Sequence, residues 1–180
     1  KTRKRKNKKK CLIKPTTTLK EIIGTKGILS KNISEFSYRP QQFSMAEHVL
    51  ETMKDDNISL IEAGTGVGKT YGYLVPLLLH YTKTHQQNST PDSKHKYTVS
   101  TFTKHLQDQL HYEDIPLLTD ILGVDIQIAI LKGRKNYLCT GRLQQSLNRK
   151  SYKEEEAILL IKLLIWLSVD DSGDLEKINL

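Results

Sequence analysis

Apolar residues recur along much of the chain at the spacing of a helix that buries one face. This spacing predicts helices over residues 40–57, 69–81, 103–112, 136–148 and 154–167. The first can begin at Pro40, because proline suits the first position of a helix. The last opens with three glutamates, which suit the positive end of a helix dipole. A short apolar segment at residues 19–23 could form a single helical turn.

Other apolar segments have the length or the alternation of strands. Residues 58–62 are a brief apolar run, residues 97–101 have the composition of another strand, and residues 125–131 alternate before Lys132 and Gly133 turn the chain. The polar stretch at residues 82–96 indicates a surface loop. Strands that alternate with helices favour an α/β fold, in which helices cover both faces of a parallel sheet.

Charge is concentrated at the start of the 180-residue sequence. Eight of the first ten residues are basic, and without them the 28 basic residues fall to 20, equal to the 20 acidic residues. The formal net charge of +8 therefore belongs to a self-repelling segment, and we predict a basic disordered tail or linker over residues 1–18. A nucleic-acid or localisation role for this segment is the alternative.

The remaining composition indicates a protein of the cytoplasm. The segment after the basic run is too short for the apolar core of a signal peptide, and the apolar run at residues 157–167 is interrupted by Lys162 and too short to span a bilayer. We therefore expect no membrane association. Cys11 and Cys139 do not form a disulfide framework, which fits a reducing compartment.

A phosphate-binding loop is the strongest chemical signal in the sequence. It comprises Ala63, Gly64, Thr65, Gly66, Val67, Gly68, Lys69 and Thr70, between a predicted strand and a predicted helix. Glycines let the backbone amides approach a triphosphate closely, Lys69 can reach the β- and γ-phosphates, and Thr70 can give its hydroxyl oxygen to Mg²⁺. Ala63 replaces the first glycine of the general pattern. The sequence therefore predicts binding of ATP with Mg²⁺, with Lys69 and Thr70 in catalytic roles.

Four segments in this order resemble motifs of the DinG-like and XPD-related iron-sulfur DNA helicases of superfamily 2. Residues 39–45 (RPQQFSM) resemble the Q motif, in which Gln42 would read the adenine edge and Arg39 would line the nucleotide site. Residues 62–70 with Tyr73 and Pro76 resemble motif I. Taken without the resemblance, Gln42 would be an exposed helix residue.

Two further segments complete the resemblance. Residues 99–110 resemble motif Ia, which implies that Thr101, Thr103 and Lys104 contact single-stranded DNA, whereas a plain reading has the threonines cap the next helix. Residues 132–139 resemble the entry to the iron-sulfur insertion, which would make Cys139 the first of four ligands of a [4Fe-4S] cluster. No cysteine follows Cys139 here, so the other ligands would lie beyond Leu180, and a half-buried cysteine at a helix start is the alternative.

The resemblance implies an amino-terminal fragment of a P-loop, RecA-like motor. Residues 19–135 would be the first part of the first RecA-like domain, and residues 136–180 the helical start of the insertion. Asp170 and Asp171 imitate the acidic end of a Walker B strand, but the preceding spacing favours a helix. We expect the histidines to lie at the surface without a metal. Without an acidic Mg²⁺ site and a second motor domain, the 180 residues alone should hydrolyse ATP poorly.

As implied by the resemblance, the full-length protein is an ATP hydrolase that moves 5′ to 3′ on single-stranded or forked DNA and has a role in DNA repair. Two other interpretations fit part of the sequence. A different P-loop NTPase, such as a small-molecule kinase, would explain only the loop at residues 63–70. A nucleic-acid-binding module with a vestigial P-loop would bind through its basic tail.

Overall fold

Helices form the regular structure of the residues that this computed structural model describes, which are 13–87 and 96–178. The eight α-helices of these residues are α1 (Leu19–Ile23), α2 (Ile28–Asn32), α3 (Pro40–Asp55), α4 (Lys69–Gln87), α5 (Lys104–Gln109), α6 (Ile115–Leu122), α7 (Thr140–Leu147) and α8 (Glu154–Leu167). A π-helical turn, Leu110–Asp114, joins α5 to α6, and 3₁₀ turns lie at Arg134–Asn136 and Leu175–Lys177. No helix within these ranges is long and apolar enough to cross a membrane.

The predicted helices at residues 40–57 and 154–167 are confirmed by α3 and α8. Helix α3 has Pro40 at its first turn and ends where Asp56 takes a left-handed conformation with φ 51°. Helix α1 confirms the helical turn predicted at residues 19–23, and its capping box pairs Thr18 with Glu21. Because residues 161–167 lie within α8, the rejection of a Walker B strand there is also confirmed.

Two predicted helices have different ends in the structure. Helix α4 runs to Gln87, six residues beyond its predicted end, and within it the hydroxyls of Thr82 and Thr84 donate hydrogen bonds to main-chain carbonyls one turn back. The predicted loop at residues 82–96 therefore begins inside a helix, and residues 88–95 lie outside the described residues. The helical path that begins at Lys104 continues through the π-helical turn and α6 as far as Gly123, which has φ 67°.

The predicted parallel sheet, and with it the RecA-like α/β fold class, is wrong for this structure. Between residues 13 and 87 and between 96 and 178, strand pairing is limited to one isolated antiparallel bridge, Tyr137 to Asp174. The three predicted strands are irregular segments, and the side chains of Ile58 and Leu60 are fully exposed. Apolar alternation can define a buried face, but a strand also needs a neighbour that accepts and donates its main-chain hydrogen bonds. Within the described residues, none of these three segments pairs with another segment to form a strand.

The chain divides into two compact units between Ala129 and Ile130. In the first unit, apolar side chains from α1, α3, α4 and α6 form one core, which contains Ile22, Ala46, Leu74, Leu78 and Leu118. Helices α3 and α4 pack against each other most extensively. At Gly72 of α4 an added Cβ would lie 2.9 Å from Met45 Sδ of α3, so this glycine permits the close approach of the two helices.

The second unit is organised around a buried ion pair. Lys132 Nζ donates to Asp174 Oδ2 over 2.9 Å and to Glu176 Oε2 over 2.6 Å, and Lys132 and Asp174 are both buried. The main-chain amide of Lys132 also donates to the hydroxyl of Tyr137 over 2.9 Å. Charge pairing and hydrogen bonding therefore compensate for removing the ammonium group from water.

Candidate functional site

The glycine-rich segment at residues 63–68 leads directly into the first turn of α4. Gly66 and Gly68 have φ angles of 76° and 82°, in the left-handed region where glycine avoids the strain of a side chain. A Cβ added at Gly64 or Gly66 would meet no atom within 4 Å, so space is open beside the loop at both positions. This geometry leaves room for a ligand to approach the main chain.

Lys69 folds back over the loop that precedes it. Its Nζ donates hydrogen bonds to the carbonyl of Ala63 over 2.9 Å and to the carbonyl of Gly64 over 3.2 Å. The side chain is exposed, and both acceptors are neutral main-chain oxygens. An anionic ligand would form stronger, charge-assisted hydrogen bonds with the same ammonium group. The structure thus brings the Lys69 ammonium group back to the start of the loop.

Thr70 has a neighbour that the sequence did not identify. Its side chain lies close enough to Tyr73, one turn further along α4, to affect the pKa of that tyrosine. Burial raises the pKa of Tyr73, Thr70 opposes that shift, and the nearby carboxylate of Asp114 adds to it. Residues three apart on any helix are neighbours, so nothing in the sequence distinguished the approach of Thr70 to Tyr73 from many others.

Asp114 is a second group that the sequence analysis missed. It lies in the π-helical turn and is 9% exposed, and its Oδ2 has no hydrogen-bond partner within the described residues. Burial raises the pKa of the Asp114 carboxyl, Glu113 raises it further, and a hydrogen bond with Gln109 partly opposes both. Burial raises the pKa of Tyr71, and the nearby carboxylate of Asp114 raises it further.

Gln42 is buried against the glycine loop, not exposed as a plain helix residue would be. Only 1% of it is exposed, and its Nε2 donates a hydrogen bond to the carbonyl of Gly68 over 2.8 Å. Its Oε1 is buried without a hydrogen-bond partner among the described residues. A Cβ added at Gly68 would lie 2.2 Å from Gln42 Nε2 and 3.3 Å from Arg39 Nη1. The structure therefore brings both Gln42 and Arg39 into contact range of the loop.

A shallow cleft of about 640 Å³ borders the loop at Ala63, Gly64 and Val67. The outer face of α3 contributes Gln41, Ser44 and His48, and residues 59–64 and 67 form the facing side. Gln42 does not line this cleft, because its side chain points towards Gly68.

Thr101, Thr103 and Lys104, the predicted DNA contacts, lie at the start of α5 and not in the glycine-rich loop. The hydroxyl of Thr103 accepts a hydrogen bond from the amide of Leu106 over 3.2 Å, so the capping alternative is confirmed for this residue. Thr101 donates to the carbonyl of Thr103 over 3.1 Å and lines a pocket of about 460 Å³ beside the fully exposed Phe102. Lys104 begins α5 and is exposed.

Cys139 lies at the start of α7 and is an exposed free thiol. The half-buried setting of the alternative interpretation is therefore wrong, although the position at a helix start is confirmed. In the part of the chain that the structure describes, no group of three or more His, Cys, Asp and Glu side chains could hold a metal ion. An iron-sulfur cluster needs four thiolates, and the sequence contains two cysteines, of which Cys11 lies outside the described residues. The residues present do not fit a cluster.

Cys139 borders a cleft of about 930 Å³ within the second unit. Its lining includes two tyrosines, Tyr137 and Tyr152, and four basic residues, Arg134, Lys135, Arg142 and Arg149. Arg149 is 3.7 Å from Glu156, so one of these cations is partly neutralised. The run of basic residues between Arg134 and Arg149 was the signal in the sequence that could have revealed this cleft.

Comparison with known proteins identifies relatives that share one name. The chain is 34% identical over 160 residues to a protein named 3′-5′ exonuclease DinG from Staphylococcus epidermidis, and 34% identical over 169 residues to a protein of the same name from Staphylococcus aureus strain USA300. These alignments cover 87% and 93% of the chain. The chain is thus DinG-like, and the predicted relation to DinG proteins is confirmed.

The chain spans less than one fifth of the length of these relatives, 17% of the first and 18% of the second. No family model and no solved structure matches the chain.

Proposed function

We propose that residues 63–70 bind the phosphates of ATP with Mg²⁺, as part of an ATP-dependent helicase that acts on DNA. The observation that carries the proposal is the open loop itself, with left-handed glycines and the Lys69 ammonium group held over main-chain carbonyls. Arrival of a triphosphate would transfer that ammonium group from neutral carbonyls to charged phosphate oxygens. The first turn of α4 adds main-chain amides and the positive end of its dipole.

Mg²⁺ would be held by the triphosphate and the hydroxyl of Thr70. A hydroxyl oxygen is a hard ligand, and Mg²⁺ bound to phosphates commonly needs few ligands from the protein. When bound, the ion shields the charge of the β- and γ-phosphates.

The proposal extends to nucleic acid through the DinG-like relation. Thr101 and Lys104 would contact the backbone of single-stranded DNA, with 5′ to 3′ movement as the resemblance implies. The four basic residues and two tyrosines of the cleft near Cys139 are a second surface with suitable chemistry, because cations attract phosphates and aromatic rings stack on bases. ATP hydrolysis would require acidic and arginine groups additional to those of the site described above.

The test is equilibrium binding of ATP with Mg²⁺ to the full chain and to two variants. Lys69→Ala should weaken binding roughly 10- to 100-fold, because a hydrogen bond to a charged group contributes about 1.5–3 kcal/mol. Lys54→Ala removes a cation from the exposed end of α3 and should change affinity less than about twofold. Equal affinity of Lys69→Ala and the wild type, or loss of ATP affinity only on deletion of residues 1–10, would refute the proposal.

A second candidate is nuclease activity, favoured by the name of the two relatives, 3′-5′ exonuclease DinG. The two functions leave different products from a partly single-stranded DNA duplex. A helicase releases an intact strand and requires ATP, whereas an exonuclease releases nucleotides. In the protein that contains this chain, Lys69→Ala should abolish strand release, and persistent nucleotide release by that variant would assign the nuclease activity to other residues.

A further inference from the structure

Lys132 is a buried cation of the second unit that does not line the basic cleft, the cleft that Cys139 borders. Its side chain is 4% exposed, and its Nζ donates hydrogen bonds to Asp174 and Glu176. These two carboxylates flank Leu175 in the sequence, and Leu175 does line the cleft. Because the ammonium group is buried and already paired, Lys132 can act on a ligand in the cleft only through other residues.

A short turn between Lys132 and Tyr137 carries two cations of the cleft. Arg134 and Lys135 lie in the 3₁₀ turn Arg134–Asn136, and both line the cleft. The main-chain amide of Lys132 donates to the hydroxyl of Tyr137 over 2.9 Å, so a hydrogen bond joins the residues on either side of the turn. The positions of Arg134 and Lys135 therefore depend on where Lys132 and Tyr137 are held.

The turn is also attached to the carboxyl-terminal part of the second unit. Tyr137 forms the antiparallel bridge with Asp174, and the amide of Leu138 donates to the carbonyl of Gly173 over 2.8 Å. An isolated bridge lacks the neighbouring pairs that stabilise a longer β-ladder. The ion pair between Lys132 and Asp174 adds a buried attachment at the same place, and removal of one partner would leave an uncompensated charge.

We propose that Lys132 is a positioning residue of the basic cleft, whose ion pair with Asp174 holds Arg134 and Lys135 where they meet the phosphates of a single-stranded polynucleotide. The inference rests on the proposed contact between this cleft and DNA. Cations that contact phosphates supply both affinity and its dependence on salt, so misplaced cations should lower both. Arg142 lies on α7, outside the turn, and should keep its contact.

The experiment measures the affinity of the full chain for a fluorescein-labelled oligothymidylate by fluorescence anisotropy at several salt concentrations. Lys132→Met should lower the affinity about tenfold, because two cations of the cleft are misplaced. The slope of log affinity against log salt should fall in magnitude by about 1.4, since each phosphate contact on a single strand contributes about 0.7. Arg142→Ala removes a cation that lines the cleft and should also weaken binding, which tests the cleft itself.

A double variant separates positioning from direct charge. Lys132→Met with Asp174→Asn removes the carboxylate that Lys132→Met alone would leave buried and unpaired, and asparagine keeps an oxygen for the hydrogen bond from the Glu176 amide. We expect most of the lost affinity and of the salt slope to return, although the cation at position 132 is absent. Asp174→Asn alone leaves Lys132 with Glu176 and should give a smaller loss, which protects the test if Lys132→Met does not fold.

Two controls on α8 separate this effect from charge and from stability. Lys162→Met makes the same change at an exposed position outside the cleft lining, and it should leave the affinity within about twofold of wild type. Leu167→Ala removes a half-buried side chain that also lies outside the lining. It should lower the melting temperature and leave the affinity unchanged.

Four results would overturn the inference. Wild-type affinity of Lys132→Met, beside weakened Arg142→Ala, would keep the cleft and reject the role of Lys132. Weakened binding with an unchanged salt slope would mean that no phosphate contact depends on Lys132. An equal loss in Leu167→Ala would reduce the effect to stability, and a double variant as weak as Lys132→Met would assign the effect to the charge itself.

Failure of the proposed function has a different signature. If the wild-type chain binds no oligothymidylate, or if Arg142→Ala and Lys132→Met both bind as the wild type does, the cleft is not the polynucleotide surface. The proposed DNA contact of the cleft then fails first, and the inference fails with it.

Discussion

Single residues of the first unit combine burial with incomplete hydrogen bonding, and Asp114 is a charged example. Its carboxylate is 9% exposed and only partly hydrogen-bonded, and its pKa is raised, chiefly by burial. For an acid this direction means that the folded state holds its proton more tightly than the unfolded state does. Ionisation of Asp114 therefore destabilises the fold, fully so above the raised pKa, and the penalty vanishes below the ordinary pKa.

We expect Asp114→Asn to increase the free energy of unfolding by about 1 kcal/mol at pH 7, since it removes a buried charge with one oxygen unsatisfied. The gain should shrink as the pH falls through the range in which the wild-type carboxyl takes up its proton. Urea unfolding at several pH values measures both effects, with Glu35→Gln as an exposed control. A gain independent of pH, or a loss at pH 7, would contradict this account of Asp114.

At the scale of elements, apolar periodicity identified helices well because a helix satisfies its own main chain. Pro40 and the spacing up to Met53 predicted α3, and the three glutamates with the apolar residues that follow predicted α8. The same periodicity failed for residues 58–62, whose apolar side chains Ile58 and Leu60 are exposed. Strand formation depends on a partner elsewhere in the chain, and local sequence does not supply that information.

The sequence also predicted the local features of the candidate site but not its long-range contacts. The glycine spacing and Lys69 are local features, and the structure places them in one loop as expected. The contacts of Gln42 with Gly68 and the approach of Asp114 to Tyr73 join residues at least 26 positions apart. Such contacts follow from helix packing, which periodicity alone does not determine.

The contact between α3 and α4 depends on the small residue at position 72. Gly72→Ala should be tolerated, because the nearest atom is the flexible Met45 thioether and alanine favours a helix over glycine. Gly72→Leu should lower the free energy of unfolding by about 1–3 kcal/mol by forcing the two helices apart. Since α3 carries Gln42, the leucine variant should also weaken tripolyphosphate binding. Denaturant unfolding and titration check the two effects, and an unaffected leucine variant would contradict this packing.

At the scale of the whole molecule, the proposed chemistry is divided between two units. The first contains the glycine loop, Lys69 and Gln42, and the second contains the basic cleft near Cys139 and its own buried ion pair at Lys132. Under the proposed function, the first unit would bind a nucleotide and the second would contact a polynucleotide.

The most direct test of the central claim is a titration of the isotope-labelled full chain with ATP and Mg²⁺, followed by amide chemical shifts. The account predicts that the largest changes fall on Gly64 to Thr70 and on the side-chain amide of Gln42, with little change in residues 130–178. Changes concentrated instead on the basic cleft of the second unit, or no saturable change at all, would contradict nucleotide binding by the glycine loop.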